Sequence, residues 1–300
     1  IEAGHAEVAI AGGSDAVASL RPRRAAIVRA TAATQGVRGF ARALVRRTPA
    51  RDLLPTDTRS TDVPEAGTIA RIHRAAIQAA RRHRFSRGVQ DEVAARSYER
   101  ASASRIPVVM RREEGFHAAA LASLSPLEPG GGVTAGNAAR PADGAVALLL
   151  MQEDVARSIG VTRLAVISGA ASAALDPDDQ PFLSEVFAIA SLLRGESREL
   201  SDVGLLELHE AAAAQILATT EALSSRAFAA HRLGRDSALG TIEPAALNLT
   251  GGTLAFGHPP AATGARLVAE AAYAVPARGS ALIAASAPDG SASALLLDPA

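Results

Sequence analysis

One histidine in this chain sits where chemistry is easier to place than packing. His258 lies in Asn248-Leu-Thr-Gly-Gly-Thr-Leu-Ala-Phe-Gly-His-Pro-Pro-Ala-Ala-Thr-Gly-Ala-Arg-Leu-Val268, a glycine-flanked loop that runs into an amphipathic helix. An imidazole on such a loop can reach a reacting group, and beside a thiol it lowers the thiol's pKa by taking up its proton. The alternative is a loop histidine packed on Pro259. His209 follows the short apolar run Leu205–Leu208 and opens an Ala-rich helix. It reads as a side chain able to hold a water facing His258, or as a strand-end histidine satisfied by its surroundings. Glu210, next to it, reads as a residue that positions backbone or water rather than as a base. Against thiol chemistry stands one fact of composition: the chain contains no cysteine.

Other catalytic patterns fail on their spacing. Gly130-Gly-Gly-Val-Thr-Ala-Gly136 lacks the lysine of a phosphate-binding loop and the spacing of a dinucleotide fingerprint. Ala11-Gly-Gly-Ser-Asp15 is not the strand-to-helix serine elbow of hydrolases. His209-Glu210 has no second histidine four residues on, and the seven histidines are scattered without zinc spacing, so no metal is expected.

Composition narrows the field further. Three hundred residues with 48% hydrophobic content allow one large domain or two ordinary ones with a real core. Basic and acidic residues balance at 31 each, which leaves no electrostatic footprint for nucleic acid and no polybasic membrane anchor. Every basic residue is arginine, a bias that together with the abundant alanine points to coding composition rather than function. Aromatics at 3% give no stacking platform for single strands. No apolar run is long enough to span a bilayer, and no signal-peptide pattern opens the chain, so a cytoplasmic protein is the default expectation. Ile1-Glu-Ala-Gly starts in mid-pattern, as a chain missing its beginning would.

The elements that must carry these residues alternate. Glu7–Ala11 reads as a buried strand ending in a tight turn at Gly12-Gly13. Residues 21–64, rich in arginine and proline, read as an excursion, helical over 25–45. Residues 66–102 have helical spacing with a break near Phe85-Ser86, where Ser86 ahead of Asp91-Glu92 suggests a helix entry. Residues 126–132 are loop by composition. The unbroken apolar run 145–151 predicts a strand buried on both faces. Then come a strand over 164–168, a helix over 181–193, a strand over 205–208, and helices over 211–223 and 265–273. A closing strand pair, 280–286 and 291–297, surrounds the turn Ala287-Pro-Asp-Gly290. Strands alternating with helices make the fold class α/β.

Several of these segments, in order, resemble the thiolase family. Ile1 to Asp15 resembles the strand and turn that follow the family's nucleophile helix. Phe85 to Ser97 is similar to a helix entry in its lid region. Gly132-Val-Thr-Ala-Gly-Asn137 with Asp143-Gly144 looks like the loop before the last strand of its first half. Glu207-Leu-His-Glu-Ala-Ala-Ala-Ala-Gln215 resembles its asparagine-or-histidine motif, and the His258 segment completes the series. Histidine at 209, and Arg51-Asp-Leu-Leu-Pro55, look like the β-subunits of the fatty-acid oxidation trifunctional complex. The match runs over essentially the whole chain, with the family's opening quarter expected to be missing.

The resemblance implies a layered αβαβα fold of two similar halves with an incomplete first half. Residues 1–150 would be the remainder of the N-terminal half, with a lid region at about 21–130, and residues 151–300 the C-terminal half. It implies a Claisen exchange between a 3-ketoacyl-CoA and coenzyme A, the thioester being substrate and no further cofactor being needed. In that exchange one cysteine is acylated and a second moves the proton at the substrate α-carbon. His258 would activate the nucleophile, and with a water held by His209 would stabilise the enolate. Asn248, Thr250, Gly251, Gly252 and Gly257 would form the loop at the substrate. The expected partners are coenzyme A or its acyl thioesters, and a second copy or a thiolase-like partner subunit. The arginine runs 21–24, 46–47 and 81–84 read as a solvated lid face, or as attraction for the phosphates of coenzyme A.

Departures from the family pattern cut across this. Ser286 falls where the second cysteine belongs, and a serine hydroxyl is too weak an acid to shuttle protons alone at neutral pH. Pro288 falls where the family uses a backbone N–H as an oxyanion donor, and proline has none; such a loss costs about a hundred- to thousandfold in rate. Asp289 adds a negative charge where negative charge would develop. Ala139, Arg140-Pro141 and Ala261 also depart. Two expectations follow: an acyltransferase of the β-oxidation type that is impaired as it stands, or a thiolase-like protein that binds acyl-CoA, or serves as a partner subunit, without catalysis.

Overall fold

The computed structural model describes residues 1, 3–16, 64–104, 117–176, 179 and 182–300. The expected helix over 25–45, the segment Arg51–Pro55 and the arginine runs at 21–24 and 46–47 lie outside these residues. Six strands and six longer helices organise the described part: β1 (Val8–Ala16), α1 (Pro64–His83), α2 (Arg87–Ala103), β2 (Asp143–Met151), α3 (Glu153–Ser158), β3 (Ala165–Ala174), α4 (Ser184–Gly195), β4 (Leu205–Leu208), α5 (Ala213–Ser224), α6 (Pro260–Arg278), β5 (Ala281–Ser286) and β6 (Ser291–Pro299).

The strands form two sheets. β1 and β2 pair antiparallel, Val8 opposite Met151 through Ala16 opposite Asp143. The second sheet has the order β3-β6-β5-β4. Its β3–β6 and β5–β6 pairs are antiparallel, and β4 runs parallel to β5. A parallel neighbour requires a crossover, and the chain from β4 through α5 and α6 to β5 provides it. The β5–β6 connection closes as a tight turn, Gly290 N–H donating to the Ala287 carbonyl at 3.1 Å.

Helix α6 is the centre of the arrangement and touches all six strands. It begins with Pro260 at its first position, where the missing N–H costs nothing. Leu267, Ala271 and Val275 on one side of it pack with Leu205, Ala281, Ile283 and Leu297 of the second sheet. Cutting Leu267 to alanine would cost about 2–5 kcal/mol. On the far side of that sheet lies α4, against β3, β6 and β5, with α5 beside it. The larger core there joins Val186, Ile189, Leu192 and Leu193 to Leu206, Leu208, Leu282 and Leu296. The layers therefore run helix, sheet, helix, sheet. Helices α1 and α2 pack on α5 at the flank, α2 starting with Ser86 as N-cap to the Val89 N–H.

Two sequence expectations change here. β1 does not turn at Gly12-Gly13; it runs straight through to Ala16. The glycines serve close approach instead: a Cβ on Gly13 would strike the Ala261 carbonyl, and one on Gly12 the Val146 backbone. Strand β2 is not buried on both faces. Its residues alternate, with Leu149 58% exposed, and Ile10 opposite it on β1 is 77% exposed. Among the described residues only the face toward α6 carries a helix, so the apolar run fills one contact layer rather than two.

Candidate active site

The loop ahead of α6 is held by an asparagine that imitates a strand. Asn248 N–H donates to the Leu206 carbonyl at 2.8 Å. Its side-chain Oδ1 accepts from Leu208 N–H at 2.7 Å, and Nδ2 donates to the Leu208 carbonyl at 3.0 Å. The carboxamide thus extends the sheet by one rung past β4, from a backbone at φ 47°, a left-handed conformation that asparagine tolerates. Nδ2 also reaches Glu210 Oε1 at 2.8 Å.

Glu210 binds the rest of the loop. Its Oε2 accepts from Ser97 Oγ at 2.6 Å and from Leu254 N–H at 3.4 Å, and its carbonyl accepts from Thr253 Oγ1 at 2.6 Å. Burial pushes its carboxyl up, against the pull of Ser97, Asn248 and Arg266. The expectation that Glu210 positions backbone matches these contacts. The loop glycines are packing positions. Gly251 sits at φ 78°, and a Cβ there would lie 2.5 Å from the Ser97 carbonyl oxygen. One on Gly252 would strike the Glu210 carboxylate, and one on Gly257 would come 2.5 Å from Ala142 Cβ. Asn248, Thr250, Gly251, Gly252 and Gly257 are all buried.

Those supports bring the two histidines together. Their ring centroids lie 4.5 Å apart with a 31° tilt. His258 N–H donates to the Arg140 carbonyl at 2.7 Å, which fixes its backbone to the chain entering β2. Its Nδ1 meets Thr263 Oγ1 at 2.8 Å. Thr263 already donates its hydroxyl hydrogen to the Pro259 carbonyl at 2.8 Å, so its oxygen accepts from His258 Nδ1–H. His209 Nδ1 lies 3.1 Å from the Ser286 carbonyl, which can only accept, so that nitrogen also carries the proton. Both rings are therefore Nδ1–H tautomers with a lone pair on Nε2. His209 Nε2 is buried and has no hydrogen-bond partner among the described residues.

Burial lowers the pKa of His209 to about 4, with the Ser286 carbonyl pulling up and Arg266 pushing down. Burial drives His258 well below the usual imidazole range, helped by His209 and Arg266. The pair is neutral at physiological pH. A neutral Nε2 next to a thiol or an acidic carbon acts as a base.

Under the histidines lies a buried charge cluster. Arg266, 0% exposed, donates to Glu270 at 2.5 Å, and its guanidinium carbon lies 5.6 Å from the centre of the Phe256 ring. Glu207 accepts from Leu249 N–H at 3.2 Å, and burial, reinforced by Glu270, pushes its carboxyl well up. Arg266 Nε and Nη2 and Glu207 Oε2 find no hydrogen-bond partner among the described residues.

On the other side of His209 stands Ser286, the last residue of β5. Its hydroxyl donates to Glu185 Oε2 at 3.2 Å. Glu185 is fully buried at the start of α4; its Oε1 accepts from Gln215 Nε2 at 2.5 Å and from Thr219 Oγ1. Burial raises its pKa to about 7 against those three donors. Pro288 and Asp289 occupy the β5–β6 turn. The Asp289 carboxylate is exposed and accepts from Ser291 N–H at 2.9 Å and Ser291 Oγ at 2.7 Å, so it faces its own hairpin. The bonds from Ser291 hold its carboxyl below the usual range, so it stays negatively charged in that turn.

Sequence reasoning reached His258, His209, Asn248 and Ser286 and missed several partners. Thr263 and Arg266 share the helix that follows His258, and Ser97 comes from α2. Glu185 could have been noticed as a lone acid in an otherwise apolar stretch. Asp15 arrives from β1, where its carboxylate accepts from Ala261 N–H at 2.5 Å in the first turn of α6. An acidic group there offsets the partial positive charge of a helix start.

Comparisons with known proteins identify the family. A thiolase N-terminal domain model matches residues 1–154, and a thiolase C-terminal domain model matches residues 161–298. A 3-ketoacyl-CoA thiolase of Shewanella amazonensis is 34% identical over 327 residues, covering 99% of this chain and 74% of that protein. A 3-ketoacyl-CoA thiolase of Pectobacterium carotovorum is 34% identical over 328 residues, with the same two coverages. The crystal structure of human mitochondrial 3-ketoacyl-CoA thiolase superposes with a TM-score of 0.69 at 23% identity, over 99% of this chain and 73% of that one. That of Bacillus anthracis acetyl-CoA acetyltransferase gives 0.63 at 26% identity, over 76% and 60%.

Proposed function

The chain belongs to the thiolase family, and from that premise we propose that its site handles coenzyme A thioesters of the 3-ketoacyl type. The reaction is that of an acetyl-CoA acyltransferase in fatty-acid β-oxidation: 3-ketoacyl-CoA and coenzyme A exchange to give acyl-CoA and acetyl-CoA. The observation that carries this reading is the neutral His209–His258 pair, 4.5 Å apart with both Nε2 lone pairs available. In this reading His258 takes the proton from a thiol and His209 holds a water for the substrate oxygen. Asn248, Gly251, Gly252 and Gly257 serve substrate by fixing the loop that presents His258.

These 300 residues do not themselves supply the thiol that thiolysis needs. Acyl transfer through a covalent thioester needs a thiol, and the chain has no cysteine. Pro288 supports a second reading, a thiolase-like protein that binds acyl-CoA or pairs with a thiolase subunit without turning over, because it cannot give an N–H to an oxyanion. Both readings place the chain in the cytoplasm, as a homo-oligomer or beside a related subunit.

Incubating the chain with acetoacetyl-CoA and coenzyme A, and titrating coenzyme A by calorimetry, tests them. The expected result is binding without thioester loss above the buffer rate. Turnover would overturn the non-catalytic statement; absence of both turnover and binding would leave only the partner-subunit role.

A further inference from the structure

Ser286 has a carboxyl group behind it, and that changes what its hydroxyl can do. A serine alone neither takes up nor releases a proton at neutral pH. Glu185 meets it from α4, fully buried, and the groups facing that carboxyl are Gln215 and Thr219 from α5 and Ser286 from β5, none of them charged. The titratable side chain joined to this cluster is His209, through the Ser286 carbonyl. Gln215 is itself fixed, its Oε1 accepting from Ala211 N–H at 3.1 Å, so its amide hydrogen must point at Glu185.

We propose that Glu185 is the proton acceptor behind Ser286, and that the two together exchange the α-proton of a coenzyme A thioester bound at the histidine pair. The proposal rests on the thioester-binding reading above. The step balances without a nucleophile: Ser286 Oγ takes the α-proton while its own hydrogen passes to Glu185 Oε2. The carbon's electron pair moves into the thioester carbonyl as an enolate. Reversal returns a proton to carbon, and solvent exchange at Glu185 makes that proton a deuteron in heavy water.

Glu185 sets the direction of the relay. Ionised, it accepts from Ser286, whose lone pairs then face away from it; protonated, it donates to Ser286 and turns the serine hydrogen outward. Burial brings the carboxyl to about 7, so both states are populated near neutrality. A purely structural buried acid would give no catalytic pH midpoint there.

Proton NMR of acetyl-CoA in heavy water with the full chain reads the exchange, and calorimetry with coenzyme A reads binding. Exchange above the buffer rate is expected, rising through a midpoint near 7 as Glu185 ionises. Glu185→Gln and Ser286→Ala should each lower it by about a hundredfold or more while binding is kept. Should Glu185→Gln fail to fold, Ser286→Ala and the wild-type pH profile decide. Binding without exchange, exchange untouched by either variant, or a flat profile between pH 6 and 8 overturns the relay and leaves the thioester site standing. No binding overturns both.

Discussion

Asn248 and Glu210 are joined by an amide-to-carboxylate hydrogen bond of 2.8 Å, buried between β4 and the loop that carries His258. The same amide serves Leu208 N–H and its carbonyl, so one side chain links the sheet, the acid and the loop.

Asn248→Ala removes all three bonds and leaves buried polar groups without partners. A loss of about 2–4 kcal/mol in urea denaturation is expected. A variant within about 0.5 kcal/mol of wild type would mean that water replaces the amide.

The histidine pair predicts acid lability with a definite sign. The folded pKa of His209 is depressed from 6.5 to about 4, so the unfolded chain binds more protons between those values. Its stabilising contribution is complete above pH 6.5 and is lost as pH falls toward 4, on the order of 3 kcal/mol. Glu185 runs the other way, contributing fully below 4.5 and losing that contribution as pH rises through about 7. Comparing denaturation midpoints of wild type and His209→Asn at pH 5 and 7 isolates the histidine. The variant should lose less stability on acidification, and equal losses would contradict the burial of a neutral ring.

Arg266 and Glu270 form an ion pair with 0% and 1% side-chain exposure. Arg266→Leu strands the Glu270 carboxylate and should cost about 3–5 kcal/mol. Adding Glu270→Leu should recover part of that loss. If the double variant is as unstable as the sum of the singles, the pair is not the coupled unit seen here.

Ile10 and Leu149 present an apolar patch on the face of β1–β2 turned away from α6. Exposed apolar patches of this kind mark interaction sites, and self-association through this face is the expected outcome. Light scattering of the chain should show an assembly that Ile10→Lys with Leu149→Glu shifts to smaller species at unchanged melting temperature. A wild-type chain already monomeric would count against the patch as an interface.

What the sequence made legible was local, and what it hid came from a distance. Helix and strand periodicity placed α2, β4 and β5 closely, because each has its caps or turn residues within its own segment. The glycines of β1 misled because close approach and turning use the same residue, and only the position of Ala261 separates the two. The single-faced burial of β2 could not be read from an apolar run, since periodicity does not report how many faces have neighbours. His258 was visible through its flanking loop. Glu185 was not, because its meaning depends on Ser286, 101 positions away.

The bond from Ala261 N–H to Asp15 spans 246 residues and docks β1 onto the start of the helix that follows His258. A contact of that separation has no local nucleus and carries a large closure entropy. During synthesis Asp15 waits for the 246 positions that separate it from its partner. The first turn of the helix after His258 thus depends on a long-range docking step of β1. Slow or failed docking of β1 would give a protein with near-native helix content and no working site.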